Sequence, residues 1–226
     1  MTDTELKCRN AKEAAKKLST ASANDKNKAL LLIAEELKSN KDYILRENDK
    51  DMKAAEENGL PKVLLDRLLL SPDRIDGMAK GVIEVADLPD PVGKTLSDIT
   101  RPNGLRVKKV SVPLGVIAVI FEARPNVTSD AASLCLKSGN ACVLKGGTDA
   151  YNSNLEIVKV IQSVLEKFGL DKNIVTLLPA GREAAAELMN AVGFVDVIIP
   201  RGGKGLIDFV RDNSRIPVIE TGAGIC

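Results

Sequence analysis

Apolar residues recur at helical spacing through much of the N-terminal region, residues 3–90. One such set follows a polar start at 24–25 and predicts an amphipathic helix. Its members are Leu30, Ile33, Ala34 and Leu37. A further helix is predicted over about 41–58, ending at Gly59. The Ser-Pro-Asp run at 71–73 indicates another helix start, and the prolines within 87–91 end the helical region.

Residues 95–112 predict a β-hairpin. Two strand-like segments, TLSDIT and LRVKKVSV, flank the tetrapeptide RPNG, and Asn-Gly between such segments is a strong hairpin signal. Polar residues alternate along both arms, so one face of the hairpin is expected to be solvated. An exposed hairpin also offers edges to another chain, so a homo-oligomer contact through 95–112 stands as an equal alternative.

From Pro113 onward, short continuous apolar segments alternate with amphipathic ones. The apolar segments predict strands at 116–121, 141–144, 174–178, 195–199 and 217–219. The amphipathic segments predict helices at 129–138, 154–168, 182–190 and 204–211, the first of them capped by Thr128 or Ser129. Buried strands separated by helices are typical of a parallel sheet covered on both faces, so the predicted fold class is α/β.

Composition and charge exclude several kinds of partner. The chain has 226 residues, with 32 basic and 31 acidic side chains and a net charge of +1. Neither this charge nor the 3% aromatic content fits a nucleic-acid-binding protein, so we expect no nucleic-acid partner. No apolar run approaches the ~20 residues that span a bilayer. The polar N-terminus lacks the order of a secretory signal, so we expect a cytoplasmic protein with no membrane partner.

The reactive side chains exclude several chemistries. Histidine is absent, which removes the commonest general base and most zinc sites, and we expect no metal. The four cysteines form no CxxC pair. Cys135 and Cys142 lie in apolar segments and are predicted to be reduced, small core residues.

The ends of the predicted strands carry the strongest functional signal. They read FEARPN, LKGGTDA, LLPAGRE, IIPRGGKG and IETGAG, and four of the five contain glycine. Carboxyl ends of parallel strands share one edge, where glycines let a ligand approach and helix N-termini point their N–H groups. This predicts an anion- and nucleotide-binding site, against the alternative that glycine and proline merely turn the chain. No GxGxxG follows the first strand, and GGKG at 202–205 lacks the Walker A spacing.

Long segments of the chain resemble the aldehyde dehydrogenase superfamily and, within it, the gamma-glutamyl phosphate reductase family. The resemblance is carried by VPLGVIAVIFEARPNVTSDAASLCLKSGNACVLKGG and by IIPRGGKGLIDFVRDNSRIPVIETGAG, and it extends along essentially the whole chain. It implies N-terminal helices, a Rossmann-like parallel sheet and a protruding β-hairpin. It also implies NADPH-dependent reduction of L-glutamate 5-phosphate to L-glutamate 5-semialdehyde and phosphate in proline biosynthesis, through attack by a cysteine thiolate and a thioester.

The resemblance assigns roles at two strand ends. Asn126 matches the asparagine whose amide helps to form the oxyanion hole, with capping of the next helix as the alternative. Lys145 matches the lysine that contacts the cofactor ribose, with a solvated strand-end lysine as the alternative; Gly146 and Gly147 follow it. Thr148 stands where NAD-preferring relatives often carry glutamate, which favours NADP, although the carboxylate of Asp149 is adjacent.

Other positions receive roles in the same way. Arg201, Gly202 and Gly203 fall where the superfamily places the pyrophosphate on a helix N-terminus. Arg124 is expected either to bind an anionic group of the substrate or to anchor its loop through a salt bridge. Glu220 occupies the place of a general-base glutamate found in many relatives.

The nucleophilic cysteine of the family is not matched within the chain. The resemblance places it some tens of residues beyond Glu220, in a second domain, whereas Cys226 follows Glu220 by only six residues. We therefore expect residues 1–226 to be the N-terminal, cofactor-binding portion of such an enzyme, inactive by itself. Two rivals remain: another acyl-phosphate or acyl-CoA reductase of the superfamily, and a non-catalytic nucleotide-binding module.

Overall fold

Five helices form the N-terminal part of the computed structural model, which describes residues 1–220. They are α1 (Asp3–Leu18), α2 (Ala23–Ser39), α3 (Lys41–Glu57), α4 (Lys62–Leu68) and α5 (Pro72–Asp87). Hydroxyl caps start three of them. The side chains of Thr2, Ser22 and Ser71 each accept a hydrogen bond from a backbone N–H in the first turn of the helix that follows. The predicted start at Ser71, with proline in the first turn, is confirmed.

A two-stranded antiparallel hairpin follows the helices. It pairs β1 (Thr95–Thr100) with β2 (Arg106–Val110), so that Ile99 lies opposite Val107. Every residue of both strands is exposed. The hairpin is therefore confirmed, and both of its faces, not only the expected one, are solvated within the described residues.

Four parallel strands form the central sheet. They are β3 (Val116–Phe121), β4 (Ala141–Lys145), β5 (Val175–Leu177) and β6 (Val197–Arg201), arranged in the order β5-β4-β3-β6. All residues of β3, β4 and β5 are buried, as their continuous apolar sequences predict for a sheet covered on both faces.

Helices cover both faces of the sheet. The four that follow β3 are α6 (Asn126–Lys137), α7 (Tyr151–Lys167), α8 (Arg182–Met189) and α9 (Lys204–Asn213), with short 3-10 turns at Thr148–Ala150 and Lys172–Ile174. Alternate residues of β3 enter two separate apolar clusters. Ile117, Val119 and Phe121 pack with α2, α5, α6 and α7. Val116, Ala118 and Ile120 pack with α1, α8 and α9, which completes an α/β sandwich.

Several predicted bounds are wrong. The strand predicted at 195–199 is observed as β6, Val197–Arg201. Helix α6 begins at Asn126, because Pro125 already adopts helical backbone angles (φ −58°, ψ −32°). Thr128 and Ser129 therefore lie inside the helix and neither caps it. Helix α7 begins at Tyr151 rather than at 154, directly after a 3-10 turn. The strand predicted at 217–219 is reduced to a single parallel bridge between Ile198 and Val218.

Candidate functional site

The order of the strands creates a switch point at the carboxyl end of β3. From β3 the chain moves to β4 and β5 on one side and then crosses back to β6 on the other side. In open α/β sheets, ligands bind at the place where the order reverses in this way. Ile120 pairs with Lys145, and Phe121 pairs with Arg201. Two of the predicted cofactor residues therefore flank the end of β3 at the same edge of the sheet.

Lys145 is buried, with 6% of its surface exposed. Its Nζ donates to the carbonyl oxygen of Gly146 at 2.9 Å, and within residues 1–220 it has no carboxylate partner. The alternative of a solvated strand-end lysine is therefore wrong. Burial lowers the pKa of Lys145, because the charged form loses its hydration. An ammonium has three N–H donors, so the Lys145 ammonium still has donors available to a ligand.

The glycines after Lys145 allow a close approach of backbone and side chain. A Cβ on Gly146 would lie 2.4 Å from Nδ2 of the fully buried Asn154. That Nδ2 has no hydrogen-bond acceptor in the described part of the chain. Gly147 is half-buried, and Thr148 is exposed at the start of a 3-10 turn. A buried, unpartnered amide donor thus lies next to the loop that the sequence assigns to the cofactor.

On the other side of β3, the carboxylate of Glu122 contacts the N-terminus of α9. The backbone N–H of Gly203 faces both carboxylate oxygens of Glu122 at 3.3 Å. A Cβ on Gly202 would lie 2.8 Å from Cδ of Glu122, so a larger residue there would displace that side chain. Arg201 is exposed. Sequence reasoning missed Glu122, although an acidic residue directly after a buried strand was a signal available in the sequence.

Asn126 is the first residue of α6 and is half-buried. Its Nδ2 donates to Oδ2 of Asp130 at 3.1 Å. The side chain makes no capping hydrogen bond, so the alternative role as a helix cap is wrong. Burial raises the pKa of Asp130, while the hydrogen bond from Asn126 and the positive charge of Arg201 act in the opposite direction. Arg201 therefore exerts its field on the first turns of α6 from the adjacent strand end.

A cleft of about 480 Å³ lies between α4, α5 and the start of α6. Its polar lining consists of Asp66, Arg67, Arg74, Arg124, Asn126 and Asp130. Arg124 is exposed, and its guanidinium forms no salt bridge with any described residue, so it is free to meet a ligand in the cleft. The cleft thus joins the asparagine of the predicted oxyanion hole to three guanidinium groups.

Glu220 does not line this cleft. It is exposed, follows the bridge between Val218 and Ile198, and lies 3.8 Å from Nη1 of Arg211 on α9. The structure therefore does not bring Glu220 together with Asn126 and Arg124.

The described cysteines lie in the core, which confirms the prediction for Cys135 and Cys142 and adds Cys8. Cys8, Cys135 and Cys142 are 5% exposed or less. Burial raises the pKa of Cys8 to about 12, and the negative charge of Glu187 contributes in the same direction. A hydrogen bond with Cys135, together with burial, raises the pKa of Cys142. The thiols of Cys8 and Cys142 are therefore not poised as thiolates. Cys226 lies outside the described residues.

Within residues 1–220, no group of three or more Cys, Asp or Glu side chains is arranged to hold a metal ion. No helix there is both long enough and apolar enough to cross a membrane.

Comparisons with known proteins agree with the fold. The family model described as "Aldehyde dehydrogenase family" matches residues 1–203. Gamma-glutamyl phosphate reductase of Bacteroides thetaiotaomicron is 53% identical over 213 residues, which are 94% of this chain and 50% of that protein. The crystal structure of gamma-glutamyl phosphate reductase from Thermotoga maritima matches with a TM-score of 0.96 at 41% identity, covering 99% of this chain and 54% of that one.

The corresponding Saccharomyces cerevisiae structure matches with a TM-score of 0.90 at 33% identity, covering 97% of this chain and 56% of that one. The expected fold, helices followed by a Rossmann-like sheet with a hairpin, is confirmed as the N-terminal portion of the aldehyde dehydrogenase fold. The chain spans about half the length of the relatives that it matches.

Proposed function

Because this chain belongs to the aldehyde dehydrogenase family, we propose that it forms the cofactor-binding portion of an NADPH-dependent reductase of L-glutamate 5-phosphate. The products are L-glutamate 5-semialdehyde and phosphate, in the cytoplasm and on the route to proline. The observation that carries the proposal is the position of Lys145 and Arg201 on either side of the end of β3, with Asn126 just beyond it. Relatives that bear the reductase name support the choice of substrate.

The residues at the switch point fit a nicotinamide dinucleotide. Lys145 is a buried cation with a single backbone acceptor, which suits a ribose hydroxyl or a phosphate oxygen. Gly202 and Gly203 precede the N-terminus of α9, where backbone N–H groups bind phosphate in many folds. The carboxylate of Glu122 now uses the N–H of Gly203, so it competes for that donor with a pyrophosphate. When bound, NADPH supplies the hydride for the reduction.

The loop after β4 favours NADP over NAD. Thr148 is exposed and uncharged, so it does not repel a 2′-phosphate, and the ammonium of Lys145 attracts one. Asp149 is half-buried and opposes this preference. A carboxylate introduced at position 148 is therefore expected to shift the preference toward NAD.

Asn126 supplies a neutral donor to the acyl oxygen as it gains negative charge. One N–H of its amide is held by Asp130, which fixes the orientation of the amide and leaves the other N–H for the oxyanion. Arg124 provides a guanidinium to the phosphoryl group in the same cleft. Glu220, paired loosely with Arg211, is assigned the secondary role of a base. The attacking thiolate is assigned to none of the described cysteines, since all three are buried.

Steady-state kinetics of Asn126→Ala in a reductase of full family length that carries this segment test the proposal. Loss of one oxyanion donor is expected to lower kcat by about 10²–10³-fold while leaving the Kd for NADPH unchanged. Asn58→Ala, at the exposed end of α3, serves as the matched control and should leave kcat unchanged. Turnover of acyl-CoA esters in place of L-glutamate 5-phosphate, or an unchanged kcat in the Asn126 variant, would overturn the assignment.

A further inference from the structure

We propose that the cleft between α4, α5 and α6 recognises the zwitterionic head group of an α-amino acid, with Asp130 binding the α-ammonium and Arg67 the α-carboxylate. The inference rests on the proposed function, since it specifies which part of the substrate occupies the cleft. It goes further by assigning two residues that had no role in the sequence analysis. Both line the cleft that contains Asn126 and Arg124.

Two of the charged groups in the cleft are already used within the protein. Arg74 donates through Nη2 to Oδ1 of Asp66 at 2.8 Å, and through Nη1 to the carbonyl oxygens of Asp66 and Leu69. These bonds hold the turn between α4 and α5 together and neutralise the side chain of Asp66. The charges that remain for a ligand are the cations of Arg67 and Arg124 and the anion of Asp130.

Asp130 is the acceptor that suits an ammonium. Its Oδ2 accepts from Asn126, and its Oδ1 has no partner within the described residues. The side chain reaches solvent in the cleft, although partial burial raises its pKa. A bound ammonium would return charge compensation to this carboxylate. Asn126, which would contact the acyl oxygen, is hydrogen-bonded to Asp130, which would contact the ammonium. The ammonium and the acyl carbon of the ligand must therefore lie within a few carbon atoms of each other, as they do in a five-carbon amino acid.

Arg67 is the donor that suits the α-carboxylate. It lies in the last turn of α4 and is exposed, and its guanidinium has no acceptor within residues 1–220. A planar guanidinium matches a carboxylate with two parallel hydrogen bonds. Arg124, two residues before Asn126, is then left for the phosphoryl group at the reacting end. Two cations and one anion in the cleft thus correspond to two anionic groups and one ammonium in the substrate.

Binding of the α-ammonium by the carboxylate of Asp130 would also prevent a side reaction of the substrate. A free α-amine could attack C5 of the acyl phosphate, forming the N–C5 bond of a five-membered lactam as the C5–O bond breaks. Phosphate would leave with that electron pair, and the nitrogen would lose a proton. An ammonium bound to Asp130 has no lone pair for this attack, so the recognition contact also protects the bound substrate.

Ligand titrations of the chain, followed by NMR, test the inference with three stable probes. L-glutamate carries both head-group charges, glutarate lacks the ammonium, and 4-aminobutyrate lacks the α-carboxylate. The wild type is expected to bind L-glutamate about tenfold more tightly than either of the others. Asp130→Asn should weaken L-glutamate about tenfold and leave glutarate unchanged, whereas Arg67→Gln should weaken L-glutamate and glutarate but not 4-aminobutyrate.

Asp42→Asn and Arg215→Gln, two exposed positions outside the cleft, serve as matched controls and should bind all three probes like the wild type. Equal binding of L-glutamate and glutarate by the wild type, or no binding of L-glutamate, would overturn the inference. Equal weakening of both probes by Asp130→Asn would also overturn it, because Asp130 would then act only by orienting Asn126. Titration of the same samples with NADPH distinguishes the proposed cofactor-binding function from the recognition of the head group. Binding of NADPH without selectivity among the three probes would contradict only the head-group inference.

Discussion

At Gly146 the backbone passes so close to Asn154 that a methyl group has no room. The added Cβ of Gly146→Ala would lie 2.4 Å from Nδ2 of a fully buried side chain, whereas at Gly147 the nearest atom is 3.5 Å away. We expect Gly146→Ala to lower the free energy of unfolding by about 1–3 kcal/mol through overpacking. Urea denaturation measures the change. Gly147→Ala is the matched control and should change stability by less than about 0.5 kcal/mol; equal effects of the two substitutions would contradict the assigned contact.

Lys145 gives the cofactor site a pH dependence. Burial lowers its pKa from the ordinary value of 10.5, so its ammonium deprotonates earlier than that of an exposed lysine. If the charged form binds NADPH, the affinity falls as pH rises through the lowered pKa. Lys145→Arg should remove this fall, since a guanidinium stays charged. Isothermal titration calorimetry across alkaline pH measures it, with Lys38→Arg on the surface of α2 as the control. An unchanged profile in Lys145→Arg would refute the assignment.

The sequence predicted which residues lie at the carboxyl ends of the strands, but it did not predict whether each of them is buried or exposed. Lys145 is the last residue of β4 and Thr148 lies three residues beyond it, yet the first is buried and the second is exposed. Between them, Gly146 packs against Asn154 of α7 and Phe121 of β3, contacts that the local sequence does not indicate. The contact of Glu122 with Gly203 likewise joins residues 81 positions apart, which no local pattern reports.

Among the contacts between elements, a buried ion pair connects α2 to the segment between α5 and β1. Nζ of Lys26 lies 2.7 Å from Oδ2 of Asp90, and the lysine side chain is 2% exposed. Asp90→Asn leaves this ammonium without a counter-charge, so we expect a loss of about 3 kcal/mol of unfolding free energy at neutral pH. Chemical denaturation measures it. The control is Asp76→Asn, whose partly exposed pair with Lys41 should contribute less than about 1 kcal/mol.

The contribution of the Lys26–Asp90 pair to stability should decrease at acid pH. Burial by itself raises the pKa of Asp90, but hydrogen bonds from Lys26 and Val92 and the lysine charge outweigh it, so the pKa is lowered. A lowered carboxyl pKa stabilises the fold above the unfolded value of about 3.9, and this contribution is lost as pH falls through the folded pKa. The stability difference between wild type and Asp90→Asn should therefore shrink below about pH 4. A constant difference would show that the substitution acts through packing alone.

The hairpin exposes a set of apolar residues on its surface. Leu96, Ile99, Leu105, Val107 and Val110 are each 44–59% exposed. Ile99 and Val107 lie opposite each other on one face. If this hairpin joins two copies of the chain, Ile99→Lys with Val107→Lys should lower the mass measured by light scattering and leave the unfolding free energy within about 0.5 kcal/mol. The control is Thr100→Lys on the other face. An unchanged mass in the double variant would exclude the hairpin from self-association.

Most elements followed from their sequence patterns because their signals are local. Strand β3 was predicted with its observed bounds, since six consecutive apolar residues end at a charged loop. The start of α6 was missed because the capping hydroxyls at 128 and 129 were preferred over the proline at 125. Proline is common at the beginning of a helix, so the ARPN sequence itself carried the correct signal.

At the scale of the whole molecule, the site depends on the order β5-β4-β3-β6. A parallel sheet was predictable from alternating strands and helices, but no local pattern indicates which strands are neighbours. The crossing from β5 to the far side of β3 is what separates Lys145 from Arg201 by the width of one strand. Helices α8 and α9 pack on one face of the sheet and α2, α5, α6 and α7 on the other, while α1 contributes to both clusters. These contacts are long-range and leave no local signal in the sequence.

The central claim is that this switch point binds a phosphorylated dinucleotide. Titration of the isotopically labelled chain with NADPH, read from its amide chemical shifts, tests it most directly. The account predicts saturable changes that are largest at Gly146, Gly147, Thr148, Gly202 and Gly203. Saturable changes confined to the hairpin or to α1, or no change at these five amides, would contradict it.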